Sequence, residues 1–153
     1  MKQQKMGINR FFTKVLGAKR KNPRWSWGGL DPRMQRVFLQ VWRGDIKTVS
    51  GAKRVLVDWD KPSWKSPART ERHTHVTLVK NGAEGFGVVC TRTTSEREER
   101  GLIADFEKTF VLRLDLGDTI TRNKCIYARI DRHVPIAEIF QERKRHAKRK
   151  KRT

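Results

Sequence analysis

The chain has 153 residues, and its 36 Lys and Arg against 16 Asp and Glu give a formal net charge of +20 at pH 7. No run of about 18 apolar residues occurs, which excludes a helical membrane span. The isolated Cys90 and Cys125 lack the paired spacing of a zinc site or redox motif. An excess of positive charge this large bears on partners more than on fold, because binding a polyanion relieves self-repulsion and releases counterions; nucleic acid is the expected partner.

Residues 1–24 carry eight Lys and Arg and no acid, residues 142–153 carry eight against Glu142 alone, and the interior 25–141 holds the remaining +5. The division expected is a basic amphipathic N-terminal arm (1–24), one nucleic-acid-binding domain (25–141) and a basic tail (142–153). In the first segment Ile8, Phe11, Phe12, Val15 and Leu16 recur at helical spacing before Gly17. Its apolar stripe suits packing on the domain, and Arg10, Lys14, Lys19, Arg20 and Lys21 suit phosphate. The stretch is too short and too interrupted for a secretory signal, so a cytoplasmic protein is expected, with no membrane partner.

From Asn22 to Trp42 the composition turns to Trp, Gly, Pro and alternating apolar residues, with a turn at Asp31 and Pro32. Arg36 to Arg43 places Val37, Leu39 and Val41 on one face and Phe38 and Trp42 on the other, the pattern of an interior strand. Arg54 to Asp60 is a second strand, and Lys61 to Thr70 a loop with Trp64 at its tip. Glu71 to Lys80 fits a helix by spacing and a strand by β-branched content. Strands follow at Gly85 to Thr93, Phe106 to Leu114 and Lys124 to Arg132, with a turn at Asp115 to Asp118. Pro135 opens a short helix through Phe140. Five or six strands with three short helices make an α+β fold or a small open barrel.

Five tryptophans, Trp25, Trp27, Trp42, Trp59 and Trp64, fall within forty residues. An indole offers a flat face on which a base stacks, contributing about 1–3 kcal/mol; for any single Trp core packing is the better reading, and it fits the mid-strand Trp42 best. Asp58 and Asp60 straddle Trp59, and a carboxylate accepts from the exocyclic amine of cytosine, so this pairing suggests a base reader. Simple ion pairs with Lys53, Arg54 or Lys61 are the other reading. Gly85 and Gly87 leave room for a backbone or ligand to come close. The C-terminal cations Arg143, Lys144, Arg145, Lys148, Arg149, Lys150, Lys151 and Arg152 are assigned to phosphate.

His75, Val76, Thr77 and Leu78 match half of the paired motif of two-histidine phosphoesterases, but His133 is followed by Val134 and Pro135, so the second half is missing. No HExxH, GxSxG, phosphate loop or dinucleotide fingerprint is present, and neither metal nor cofactor is expected.

The blocks NPRWSWGGLDP, RVFLQVW, VKNGAEGFGVVC and CIYARIDRHVPIAEIF, spread over about residues 8–140, resemble the PUA-like modified-base-reading domains of the EVE and ASCH group. The similarity is greatest to those ahead of HNH nuclease domains in bacterial defence proteins. The resemblance implies a small, bent PUA-like β-barrel of five or six strands with short flanking helices. It also implies a pocket taking an extruded base, with Trp25, Ser26, Trp27, Trp59 and the Gly85–Gly87 backbone as its parts. Basic residues follow where a nuclease follows in those proteins, which suggests a separately encoded effector. A non-catalytic ribosome- or nucleoid-associated protein without base selectivity is the alternative.

Overall fold

The computed structural model describes residues 7–22, 26–60, 66–92 and 103–151. A helical turn α1 (Ile8–Arg10) runs on as a π-helical segment (Phe11–Leu16) that ends at Gly17 in the left-handed conformation, φ 69°. The strands are β1 (Gly28–Asp31), β2 (Arg36–Trp42), β3 (Ile46–Val49), β4 (Ala52–Trp59), β5 (Glu84–Arg92), β6 (Ile103–Phe106), β7 (Phe110–Arg122) and β8 (Cys125–Pro135). Two longer helices complete the set, α2 (Pro67–Lys80) and α3 (Ile136–Lys151).

The architecture is α+β: one mixed, open sheet of order β1-β2-β5-β7-β8-β4-β3, with β6 added to β5. Among the described residues the strands number eight, above the five or six expected. The β2–β5 pair is parallel and the others antiparallel. A short connection missed in the sequence, between β3 and β4, explains part of the excess, and a second lengthens β7. Ser50 and Gly51, both at positive φ, join β3 to β4, and Asn123 and Lys124, also at positive φ, join β7 to β8. Two residues in this conformation match the twist of a hairpin. The stretch Asp115 to Asp118, expected as a turn, is instead a bulge within β7, where Asp115 Oδ1 accepts from the Gly117 N–H at 2.9 Å.

α2 resolves the ambiguous segment. Ser66 accepts from the Arg69 N–H at 3.1 Å as N-cap, and Pro67 occupies the first turn, where its missing N–H removes nothing. The helix therefore begins inside the stretch expected to be a loop.

Alternation along the strands builds two cores. Val37, Leu39, Val41, Val89, Leu112 and Leu114 meet Val76 of α2 on one face. Phe38, Phe86, Val88, Cys90, Val111 and Val134 meet Phe11, Phe12, Leu16 and Ile139 on the other. The chain's basic ends therefore supply core side chains, each contributing about 1.5–3 kcal/mol by leaving water. The boundary drawn at residue 142 falls inside α3, which continues nine residues past it to Lys151. Glu142 pairs with the fully buried Arg36 at 3.1 Å, and Arg36 also lies 3.5 Å from Asp31. Arg143 donates to the carbonyls of Lys14 and Val15 at 3.2 and 2.9 Å, clasping α3 to the π-helical segment. Among the described residues no helix is long and apolar enough to cross a membrane.

Candidate nucleic-acid interface

Of the expected base-binding residues, Trp25 and Trp64 lie outside the described residues. Trp27 and Trp59 come together with ring centroids 5.5 Å apart at 60°, each half-buried. Two guanidinium groups from the first turns of α2 set this arrangement. Arg69 donates to the Trp59 carbonyl at 2.6 Å, and Arg72 to the carbonyls of Trp27 at 2.9 Å, Val57 at 2.8 Å and Gln40. Burial pushes the Arg72 pKa down to about 10, while Asp58 is the strongest of the charges opposing that shift. Arg72 therefore ties the β4 end, the 26–27 turn and β2 to one helix.

Asp58 is not the base reader expected. It is 1% exposed, accepts from the Trp59 N–H at 2.9 Å, and its other oxygen lies 3.0 Å from His73 Nδ1. Its oxygens are taken up within the fold by these partners, and Lys61 lies outside the described residues. Gly85 and Gly87 are corrected likewise. A Cβ at 85 would meet Val79 at 2.9 Å and one at 87 would meet Val41 at 3.1 Å, so these glycines admit core side chains. The close approach that bears on the site is at Gly28, where a Cβ would lie 2.7 Å from the Phe38 carbonyl and 3.1 Å from His75 Nδ1.

Ser26 is buried and bonds a residue that lines an open cleft. Its hydroxyl donates to Glu71 Oε2 at 3.1 Å and accepts from the Asn22 N–H at 2.9 Å. Glu71 and His75, one turn apart on α2, line a cleft of about 820 Å³ between that helix and the segments 19–21 and 30–32. Its walls include Leu30, Pro32 and Leu78, and its rim carries Lys19, Arg20 and Lys21. Lys19 is fixed there by two backbone hydrogen bonds to Leu30, at 2.8 and 3.0 Å. Glu71 and His75 are 8% and 7% exposed, and among the described residues Glu71 Oε1 and His75 Nδ1 have no hydrogen-bond partner. Burial raises the Glu71 pKa, against the Ser26 hydroxyl, the charges of Arg20 and Lys21 and the Trp27 backbone, which lower it. Burial and then the Arg72 charge push His75 down to about 4, which keeps its imidazole neutral at pH 7. Cys90, pushed up to about 12 by burial, is no nucleophile.

The expected phosphate ligands divide. Arg10, Lys14, Lys19 and Lys21 are exposed, as are Lys144, Arg145, Lys148 and Arg149 on α3. Lys150 and Lys151 continue that helix, and Arg152 lies outside the described residues. Arg143 is withdrawn from phosphate by its bonds to Lys14 and Val15. Arg20 is half-buried, donates to the Ser26 carbonyl and sits 4.8 Å over the Phe12 ring. The clasp at Arg143 brings the N-terminal and C-terminal cations onto adjoining helices.

His75 thus belongs to a helix rather than to a phosphoesterase strand, and His133 stacks on Phe110 at 4.3 Å. Among the described residues no group of His, Cys, Asp and Glu is placed to hold a metal ion. Glu71, Arg72 and His75 were missed as site residues. The available signal was the Ser66-Pro67 start, which places Thr70, Glu71, Thr74, His75 and Leu78 on one helix face. Compared with family models, with curated proteins and with solved structures, the chain matches none.

Proposed function

We propose that this chain is a non-enzymatic nucleic-acid-binding module of PUA-like kind, acting in the cytoplasm. Exposed cations hold the phosphates, and the α2 cleft receives an unstacked base. Phosphate contacts position a strand and carry no sequence information; a cleft that takes a base supplies it. The observation that carries this reading is the meeting of opposites in the cleft: three consecutive cations, Lys19, Arg20 and Lys21, line it together with the buried Glu71 and His75, and the Ser26 hydroxyl bonds Glu71. A cationic rim favours the backbone, and partly unsatisfied polar groups in a mostly apolar cleft favour a hydrogen-bonding base edge. The bent PUA-like arrangement belongs to this reading on the strength of the four sequence blocks, as does a separately encoded nuclease acting in defence against mobile elements.

The test is oligonucleotide binding by anisotropy over a range of salt. Removing residues 144–153 lowers affinity for every sequence alike and flattens the salt dependence. Thr70→Trp, which fills the cleft, lowers affinity for strands with an unpaired base. Unchanged binding by both variants overturns the reading. The mutual packing of Trp27 and Trp59 favours a second one, a ribosome- or nucleoid-associated structural protein whose tryptophans are all packing residues. Quenching of Trp fluorescence by mononucleotides separates the two, because a fully packed set does not respond.

A further inference from the structure

Glu71 has more accepting capacity than the fold uses. An ionised carboxylate offers about four acceptor positions; the Ser26 hydroxyl takes one on Oε2, the Trp27 backbone N–H also bonds to this carboxylate, and among the described residues Oε1 has no partner. One turn along α2, His75 supplies a neutral imidazole, which carries one donor and one acceptor. Both side chains are more than nine-tenths buried and both line the same cleft. Leaving a buried polar atom unpaired is costly, so a ligand that satisfies it gains discrimination over one that does not.

We propose that Glu71, with His75 beside it, selects an unpaired nucleobase whose edge presents an exocyclic amine next to a bare ring nitrogen. On the Watson–Crick edge cytosine and adenine present that pair; thymine and uracil have no amine, and the guanine amine there neighbours a ring N–H rather than a bare nitrogen. The amine donates to Glu71, and the ring nitrogen accepts from His75. A keto base sets its carbonyl oxygen against the carboxylate, a repulsive pairing that rejects it. This inference rests on the reading that the α2 cleft takes a base. It moves the role first expected of Asp58 to the carboxylate that has an acceptor to spare.

The experiment uses the full chain and single-stranded oligonucleotides that differ at one central base, at fixed salt. Cytosine and adenine are expected to bind about tenfold more tightly than thymine or guanine at that position. Doubly methylating the amine of the central cytosine or adenine, which removes the donor without touching the protein, abolishes the advantage. Glu71→Gln keeps the side-chain volume and a partner for Ser26, and brings the ratio to within about twofold with the salt slope unchanged. Equal binding of all four bases by the wild-type protein, or an advantage that survives amine methylation, overturns the inference. Its failure is separable from failure of the cleft reading. If Thr70→Trp weakens binding while the bases rank alike, the cleft takes a base without this selection; if Thr70→Trp changes nothing, the base is not in the cleft.

Discussion

Acid is expected to destabilise this fold through His75. The ring is 7% exposed, and burial together with the Arg72 charge holds its pKa at about 4 against an ordinary value of 6.5. The unfolded chain therefore binds a proton that the folded chain refuses between those two values. The stability at stake is fully present above the unfolded pKa and is lost as pH falls from about 6.5 to about 4. A gap of about 2.5 pH units, at 1.36 kcal/mol each, is about 3 kcal/mol, a large part of the total for a domain this size. The assay is urea unfolding of the wild type and of His75→Gln, followed by Trp fluorescence from about pH 7 to about pH 4. The wild type loses about 3 kcal/mol more than the variant across that range, with equal m-values. Parallel stability curves for the two proteins would refute the reasoning, because every other titrating group is common to both.

Three further substitutions test the supports of the site. Glu142→Ala removes one partner of the fully buried Arg36 and leaves Asp31 at 3.5 Å. A loss of about 1–3 kcal/mol in denaturant unfolding is expected, and an unchanged midpoint would show that the pair does not hold α3. Gly28→Ala drives a methyl to 2.7 Å from a backbone oxygen and 3.1 Å from His75, whereas Gly44→Ala meets nothing within 4 Å. The first is expected to lose about 1–3 kcal/mol and the second well under 1 kcal/mol, measured side by side; equal losses would contradict the crowding at position 28. Ser66→Ala deletes the α2 cap and is expected to cost about 1 kcal/mol, with Ser66→Asp restoring it.

Period-two patterns made the interior strands legible. Val37, Leu39 and Val41 fall in one core and Phe38 in the other, as alternation along β2 requires. β3 was missed because four residues with only Ile46 and Val49 half-buried carry too little pattern. The carboxylate of the site was misplaced for a different reason. Asp58 lies beside a tryptophan in the chain, and nothing local reveals that His73, fifteen residues on, takes up its second oxygen. Glu71 stands in a run of charged and β-branched residues whose helical register decides everything, and only the Ser66-Pro67 cap settles that register. The length of α3 was hidden because its charge density resembles a solvated tail. What anchors it is Arg36, 106 positions away from Glu142.

The clasp between Arg143 and the carbonyls of Lys14 and Val15 sets the order in which this protein can mature. Phe11, Phe12 and Leu16 leave the ribosome early, but the side chain that closes their pocket, Ile139, and the guanidinium that locks it belong to a helix translated more than a hundred codons later. Until that helix emerges, a nascent chain exposes aromatic surface beside a dense run of cations. Final closure of this core therefore waits for that helix.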